Sequence, residues 1–287
     1  MASETNQSAR YEVAVIQMVS TANLKQNLDS ARGLVEQAAR KGANLVLLPE
    51  NFALIESADL LRAGQDEAQT DFIRNTLSQW AKEFGIWLIG GTLPCSKRPG
   101  GERIEKVRAV CYVFDPLGEV RGRYDKIHLF DVDVGDVQGQ YRESEKIEPG
   151  DRLVTVDTPF GKIGLSVCYD LRFAEFFSAY KKLGVDLIVV PAAFTYRTGQ
   201  AHWESLLRAR AIENQFIVLA ANQGGRHSAK RETWGHSMII DPWGTVLACQ
   251  EQGEGVSVAA IDLDGIRELK ARMPQDAHRR WHLFESN

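Results

Sequence analysis

Three side chains in this sequence stand where chemistry could be done. Cys168 ends the apolar run Ile163-Gly-Leu-Ser-Val. Glu50 follows Leu47-Leu-Pro. Lys126 lies in Arg123-Tyr-Asp-Lys-Ile-His128. Singly they are unremarkable: a cysteine in an apolar strand is usually a small core residue, and a glutamate or lysine after a strand is usually solvated. Together they make a reaction. A thiol must lose its proton to become a nucleophile, and a nearby carboxylate can take that proton. A lysine can then stabilise the oxyanion formed when the sulfur attacks a carbonyl. If the strand passes into a helix near Leu171, the N–H of Tyr169 points at the same oxyanion. No histidine occupies a matching strand end, which disfavours a Cys–His pair.

The elements that must position these groups can be read from hydrophobic runs. Residues 13–18, 45–48, 86–89, 110–114, 163–167, 187–190, 216–221 and 238–240 are near-continuous and apolar, as strands covered on both faces are. Residues 23–40 place Leu24, Leu28, Ala31, Val35 and Ala38 on one helical face. Phe72, Leu77, Trp80 and Ala81 form a second face, and Trp203, Leu206, Leu207, Ala211 and Ile212 a third. Alternating strands and helices indicate an α/β class, in which ligands sit at the carboxyl ends of strands.

An internal repeat sharpens the architecture. Gly42-Ala-Asn-Leu-Val-Leu-Leu-Pro-Glu-Asn-Phe52 matches Gly184-Val-Asp-Leu-Ile-Val-Val-Pro-Ala-Ala-Phe194 in spacing. Asp115-Pro-Leu-Gly-Glu-Val120 matches Asp241-Pro-Trp-Gly-Thr-Val246, a turn signal between apolar runs. We expect two similar α/β halves packed sheet to sheet with helices outside. Glu50 breaks the repeat, since Ala192 stands in its place in the second half.

Composition excludes several classes. The chain has 287 residues, 44% hydrophobic and 25% charged, as in ordinary globular proteins. With 34 basic and 38 acidic residues its formal charge is −4, and no basic stripe suggests a nucleic-acid partner. No apolar stretch approaches the roughly 20 residues of a membrane span. The first ten residues lack an apolar segment of the secretory type. The four cysteines (Cys95, Cys111, Cys168, Cys249) are dispersed, without Cys-x-x-Cys, which fits reduced thiols in a cytoplasmic protein. His-Glu-x-x-His, Gly-x-Gly-x-x-Gly and phosphate-loop motifs are absent.

Leu48-Pro-Glu-Asn-Phe52, Gly122-Arg-Tyr-Asp-Lys-Ile-His-Leu-Phe130 and Gly164-Leu-Ser-Val-Cys-Tyr-Asp-Leu-Arg-Phe173 resemble, in order, the three catalytic motifs of the nitrilase superfamily of carbon–nitrogen hydrolases. The resemblance runs from about Val13 to Asp262. It implies an αββα sandwich forming one hydrolase domain over 11–265, with a tail, 266–287, packing on the domain or on a partner subunit. It also implies Glu50 as base, Lys126 as oxyanion support and Cys168 as nucleophile. The family commonly has a second glutamate, which Tyr141-Arg-Glu-Ser144 places at Glu143, to hold Lys126 and orient substrate. No metal or organic cofactor is required by this chemistry.

Within the superfamily the chain looks most similar to the deaminated-glutathione amidases, through Gln200-Ala-His-Trp-Glu-Ser-Leu-Leu-Arg-Ala-Arg-Ala-Ile-Glu-Asn214, Gly225-Arg-His227 with Lys230-Arg231, and Trp234-Gly-His-Ser-Met-Ile-Ile-Asp-Pro-Trp-Gly-Thr-Val246. That branch releases 2-oxoglutarate and cysteinylglycine, a metabolite-repair reaction. The ω-amidase branch, acting on α-ketoglutaramate, shares two of these segments. N-carbamoyl and nitrile hydrolases use the same triad, and a non-catalytic protein with a redox-sensing or structural Cys168 is a further alternative. A substrate with a carboxylate at each end calls for cations. The expected substrate-binding set is Tyr169, Arg172, Phe194, Arg226 and His227, with Arg231 close behind in sequence. Tyr196-Arg197 occupies a stretch where the family often has small residues, and could alter the pocket wall. The segment 172–183 is expected to expose Phe173, Phe176 and Phe177, an aromatic-rich face that can be core or an interface. Superfamily members commonly pair there, so the resemblance implies a homodimer.

Overall fold

The computed structural model describes residues 10–55, 58–136 and 139–283. The first half runs β1 (Arg10–Gln17), α1 (Leu24–Arg40), β2 (Leu45–Leu47), α2 (Leu60–Thr70), α3 (Phe72–Phe84) and β3 (Trp87–Ile89). Then come β4 (Leu93–Lys97), β5 (Arg103–Phe114) and β6 (Val120–Asp125). A two-stranded ribbon, β7 (Asp131–Asp133) and β8 (Gln140–Arg142), leads into a 3₁₀ turn, Glu143–Glu145. The second half runs β9 (Thr155–Thr158), β10 (Gly161–Leu165), a 3₁₀ turn at Cys168–Arg172, α4 (Ala174–Lys182), β11 (Leu187–Ala192), α5 (Tyr196–Asn214) and β12 (Ile217–Asn222). It continues with β13 (Ser237–Ile240) and β14 (Val246–Gln250). β15 (Gly255–Asp262), α6 (Leu263–Arg272) and α7 (Gln275–His278) follow.

Each half builds one sheet. The first has the order β15-β1-β2-β3-β5-β4, with β6 also on β5; the second has the order β14-β13-β12-β11-β10-β9. In each, three strands are parallel (β1-β2-β3 and β10-β11-β12) and an antiparallel hairpin follows. The repeat read from the sequence is this shared unit. Its two turns are built alike. Asp115 Oδ1 accepts the N–H groups of Leu117 and Glu119 at 2.9 and 3.0 Å, and Asp241 Oδ1 those of Trp243 and Thr245 at 2.9 and 2.8 Å. Gly118 and Gly244 take φ of 80° and 86° there, which glycine tolerates without cost.

Alternate residues along each central strand serve two layers. Val13, Val15, Leu45 and Leu47 meet Ile163, Leu165 and Val189 between the sheets. Ala14, Ile16, Val46 and Leu48 face outward onto Leu28, Ala31 and Val35 of α1 and Leu77 of α3. α4 and α5 cover the other sheet, giving an αββα sandwich. Glu67 of α2 accepts the free N–H groups of Ile73 and Arg74, at 2.7 and 3.0 Å, where α3 begins. β15 pairs with β1 along all eight residues, so the end of the chain completes the first sheet. α6 then returns to the second half, burying Leu263 and Ile266 in the inter-sheet core. The following residues lie on α4 and α5, through Lys270–Asp186 (2.6 Å), Gln215 Nε2 to the Met273 carbonyl (2.9 Å) and Arg279 to Asn214 Oδ1 (3.1 Å). Among the described residues no helix is long and apolar enough to cross a membrane.

The aromatic residues after Cys168 are placed otherwise than the sequence suggested. Phe177 is fully buried and Phe176 is 6% exposed, packed edge-on against Tyr124, Phe177 and Tyr180. Phe173 is half-buried and stacks on His128, 3.8 Å between ring centroids. These rings fill the space between α4 and the strand ends that carry the polar residues. Phe176 and Phe177 belong to the core, and Phe173 packs against it.

Two glycines let the backbone close tightly around those strand ends. A Cβ at Gly91 (φ 53°) would lie 2.0 Å from the carbonyl oxygen of Pro49, and one at Gly150 2.0 Å from that of Asp125. These carbonyls immediately precede Glu50 and Lys126. Gly91→Ala therefore combines backbone strain with a collision. It is expected to lower stability by about 2 kcal/mol or more, read as a shifted urea midpoint. An unchanged midpoint would contradict the close approach.

Candidate active site

Glu50, Lys126, Glu143 and Cys168 come from four separate segments and converge. Glu50 follows β2, Lys126 follows β6, Glu143 opens the 3₁₀ turn after β8, and Cys168 opens the turn after β10. Lys126 Nζ donates to Glu50 Oε1 at 2.8 Å and to both oxygens of Glu143, at 3.0 and 2.8 Å. The second Glu50 oxygen accepts the Ala193 N–H at 2.8 Å, and Glu143 also accepts the Phe130 N–H at 2.9 Å. Gln223 fixes the backbone under Glu50, donating to its carbonyl at 3.0 Å. Glu50 is 3% exposed, Lys126 1% and Cys168 8%.

The electrostatics follow from this burial. Desolvation works against the charge of Lys126, but Glu143, Glu50 and the Cys168 sulfur outweigh it and hold the lysine well above its ordinary value. Burial pushes the Cys168 thiol well above its ordinary value, and the negative charge of Glu50 adds to this; Lys126 and the Ala193 N–H pull the other way. The resting state is therefore a thiol beside a carboxylate, with an ammonium group facing both.

Cys168 has φ 47°, a conformation rare outside glycine. The turn is held by Asp170, which is fully buried. Asp170 accepts the Val167 N–H at 2.8 Å, the Tyr124 hydroxyl at 2.6 Å and the His128 N–H at 3.1 Å, with His128 Nδ1 2.7 Å away. Tyr124 and His128 flank Lys126. One carboxylate thus ties the segment of Cys168 to that of Lys126. Sequence reasoning passed over Asp170, although it stands in the segment quoted for Cys168.

The four residues lie at or around a cavity of about 400 Å³ lined in part by Glu50, Glu143, Cys168, Tyr169 and Phe194. Lys126 sits behind the two glutamates. The other expected substrate-binding residues are elsewhere. Arg172 lies over the rings of Phe194 and Tyr169, 5.3 and 5.9 Å from their centroids, outside the lining. Arg226 is exposed and away from the cavity. His227 bonds the Ser20 carbonyl at 2.8 Å and Thr233 Oγ1 at 2.7 Å, bracing a loop. The cations that do line the cavity are Arg142, Lys146 and Arg231, with Tyr141 among them. Tyr141 stands in the Tyr141-Arg-Glu-Ser144 segment already quoted for Glu143, yet was not singled out. Tyr196 and Arg197 do not line the cavity. Tyr196 packs edge-on against Trp234, and Arg197 bonds the carbonyl of Gly135 near the β7–β8 ribbon.

Residues 12–271 match the carbon-nitrogen hydrolase family model. The chain is 40% identical over 269 residues to a deaminated glutathione amidase of Yersinia enterocolitica, covering 94% of this chain and 93% of the relative. It is 39% identical over 277 residues to an omega-amidase of Xenopus tropicalis, covering 96% and 97%. Among solved structures, the NitFhit protein of C. elegans superposes with a TM-score of 0.87 at 37% identity, over 97% of this chain and 67% of that one. With two α/β halves packed sheet to sheet, and a glutamate, a lysine and a cysteine meeting at their strand ends, the chain belongs to the carbon–nitrogen hydrolases of the nitrilase superfamily.

Proposed function

We propose that this amidase hydrolyses the amide bond of deaminated glutathione, releasing 2-oxoglutarate and cysteinylglycine. The observation that carries the reading is the division of the cavity. Its lining holds the Cys168 thiol and the Glu50 carboxylate, with the Lys126 ammonium buried behind it, and elsewhere carries Arg142, Lys146 and Arg231. A neutral amide meets the thiol and the carboxylate, and the carboxylates of the substrate meet cations. The volume falls within the range of about 300–1,000 Å³ usual for small-molecule sites, and the likeness to deaminated glutathione amidases points the same way. The omega-amidase likeness supports a second reading, α-ketoglutaramate with ammonia as the leaving group.

In the mechanism we propose, Glu50 accepts the thiol proton as Cys168 Sγ bonds to the amide carbon, and the carbonyl electrons move onto oxygen. The ammonium of Lys126 and the Tyr169 N–H stabilise that oxyanion. As the tetrahedral adduct collapses, the C–N bond breaks and Glu50 returns its proton to the leaving amine. A thioester to Cys168 remains. Water then attacks the thioester carbon while Glu50 takes a proton from it, the S–C bond breaks, and the sulfur is reprotonated. Glu143 keeps Lys126 charged and aimed. Hydrogen bonds to both oxygens of Glu50 fix the orientation of its carboxylate. A nucleophile that must remain a free thiol fits a reducing compartment, and we place the enzyme in the cytoplasm.

Cys168→Ala is expected to lower kcat at least ~1,000-fold, and the wild type to yield an acyl adduct on Cys168 detectable by mass spectrometry. A variant retaining a tenth of the activity would sink the assignment. Faster release of cysteinylglycine from deaminated glutathione than of ammonia from α-ketoglutaramate is expected; the reverse order selects the second reading. Glu50→Gln removes a charge that raises the thiol and leaves Lys126 in place. The ultraviolet thiolate signal of Cys168 should then appear at lower pH than in the wild type even though hydrolysis collapses. A shift to higher pH would contradict the electrostatics described.

A further inference from the structure

We infer that Arg231 is the carboxylate-binding residue of the cavity, holding a charged end of the substrate away from the Glu50–Lys126–Glu143 cluster; this rests on the reading of a dicarboxylate amide given above. The cluster itself repels such a ligand. Glu50 and Glu143 bring two negative charges and Lys126 one positive, so the cluster is net negative with Cys168 as a thiol. A carboxylate-bearing substrate therefore needs a cation set apart from that cluster and free to pair.

The candidate cations separate on this criterion. Lys126 is engaged by both glutamates. Arg142 lines the cavity but is committed to the Val132 and Tyr141 carbonyls, at 3.1 and 2.7 Å, and to Asp133, at 2.8 Å. Lys146 is exposed. Arg172 and Arg226 do not line the cavity. Arg231 does line it, and among the described residues its guanidinium has neither a hydrogen bond nor an ion pair; its Nε is buried without a partner. Its contact is the face of Tyr141, 5.6 Å from the ring centroid, which orients a guanidinium while leaving its N–H edge open. Buried donors in native proteins are almost always satisfied, and a guanidinium offers the planar fork that fits a carboxylate.

The loop between β12 and β13 is built to present this side chain. His227 N–H donates to the Arg231 carbonyl at 3.0 Å, and Ser228 Oγ accepts the N–H groups of Lys230 and Arg231, both at 3.1 Å. The Tyr196 N–H donates to the Glu232 carbonyl at 3.1 Å, tying the loop to the start of α5. His227 clamps the loop to Ser20 and Thr233. The Gly225-Arg-His227 segment is thus the brace, and Arg231 is the group that reaches the ligand.

The test compares the wild type with Arg231→Met and Arg231→Lys on deaminated glutathione, on its form with a C-terminal carboxamide, and on α-ketoglutaramate. Arg231→Met should raise KM for deaminated glutathione about 10- to 100-fold, with kcat changing far less, and Arg231→Lys should recover part of the loss. If the penalty vanishes with the carboxamide form, Arg231 pairs with the dipeptide carboxylate. If it persists there and appears with α-ketoglutaramate, Arg231 pairs with the keto-acid carboxylate. A KM unchanged on all three, or a fall in kcat alone that lysine does not recover, overturns the proposal. A wild type inactive on all three fails the functional reading instead. Arg231 is then tested by glutarate protection of Cys168 against iodoacetamide: loss of protection in Arg231→Met supports the assignment, and equal protection in both proteins refutes it.

Discussion

The site depends on keeping one ammonium charged in the interior. Taking a lysine out of water is costly unless the charge is paired and its donors satisfied. Lys126 meets both conditions with two carboxylates from distant parts of the chain. Removing the lysine would leave two buried carboxylates without their counter-charge, an arrangement that typically costs about 3–5 kcal/mol. The end of β2, the end of β6 and the turn after β8 are thereby held at one point. The cluster that equips the protein for chemistry also fixes where its segments end, so substrate chemistry and local order are not separable here.

Two related halves explain how such a cluster can arise on a regular scaffold. Each sheet offers the same geometry, three parallel strands whose carboxyl ends open on one side, with a hairpin beyond. Glu50 and Ala192 occupy equivalent places, and only the first carries a charge. The second half supplies its backbone instead: the Ala193 N–H, one residue past the equivalent position, binds Glu50. The carboxylate therefore belongs to one half and its anchor to the other. β15, by pairing along all of β1, keeps the two halves in one core.

Much of this was legible because buried parallel strands are near-continuous hydrophobic runs. β1, β2, β3, β10, β11, β12 and β13 could be read that way, and α1 by its stripe. β4, β6, β9 and β14 could not, being short or sited at sheet edges with polar or alternating residues; β6 reads Val-Arg-Gly-Arg-Tyr-Asp. α2 was hidden by Gly64 in its middle, where a Cβ would lie 2.2 Å from Val107 Cγ1; the helix needs the glycine to approach β5. Glu50, Lys126, Glu143 and Cys168 could be named from local segments. The cavity walls could not. Tyr141 and Arg231 meet only because a loop of the second half folds back past Phe194, and nothing local to either residue encodes that contact. The aromatic run after Cys168 stayed open between core and interface because helical spacing alone does not say whether a face meets a subunit or the protein's own sheet.

What remains is how a strained cysteine is kept in place. A non-glycine residue at φ 47° costs of order 1–3 kcal/mol and persists only where its surroundings over-determine it. Asp170 supplies the constraint. It accepts from the backbone just before Cys168 and from the residues on either side of Lys126, and it has no exposure to solvent that would let those bonds exchange with water. The relation between sulfur and ammonium is thus set by a third group that touches neither. The bonds that fix their spacing pass through neither the sulfur nor the ammonium.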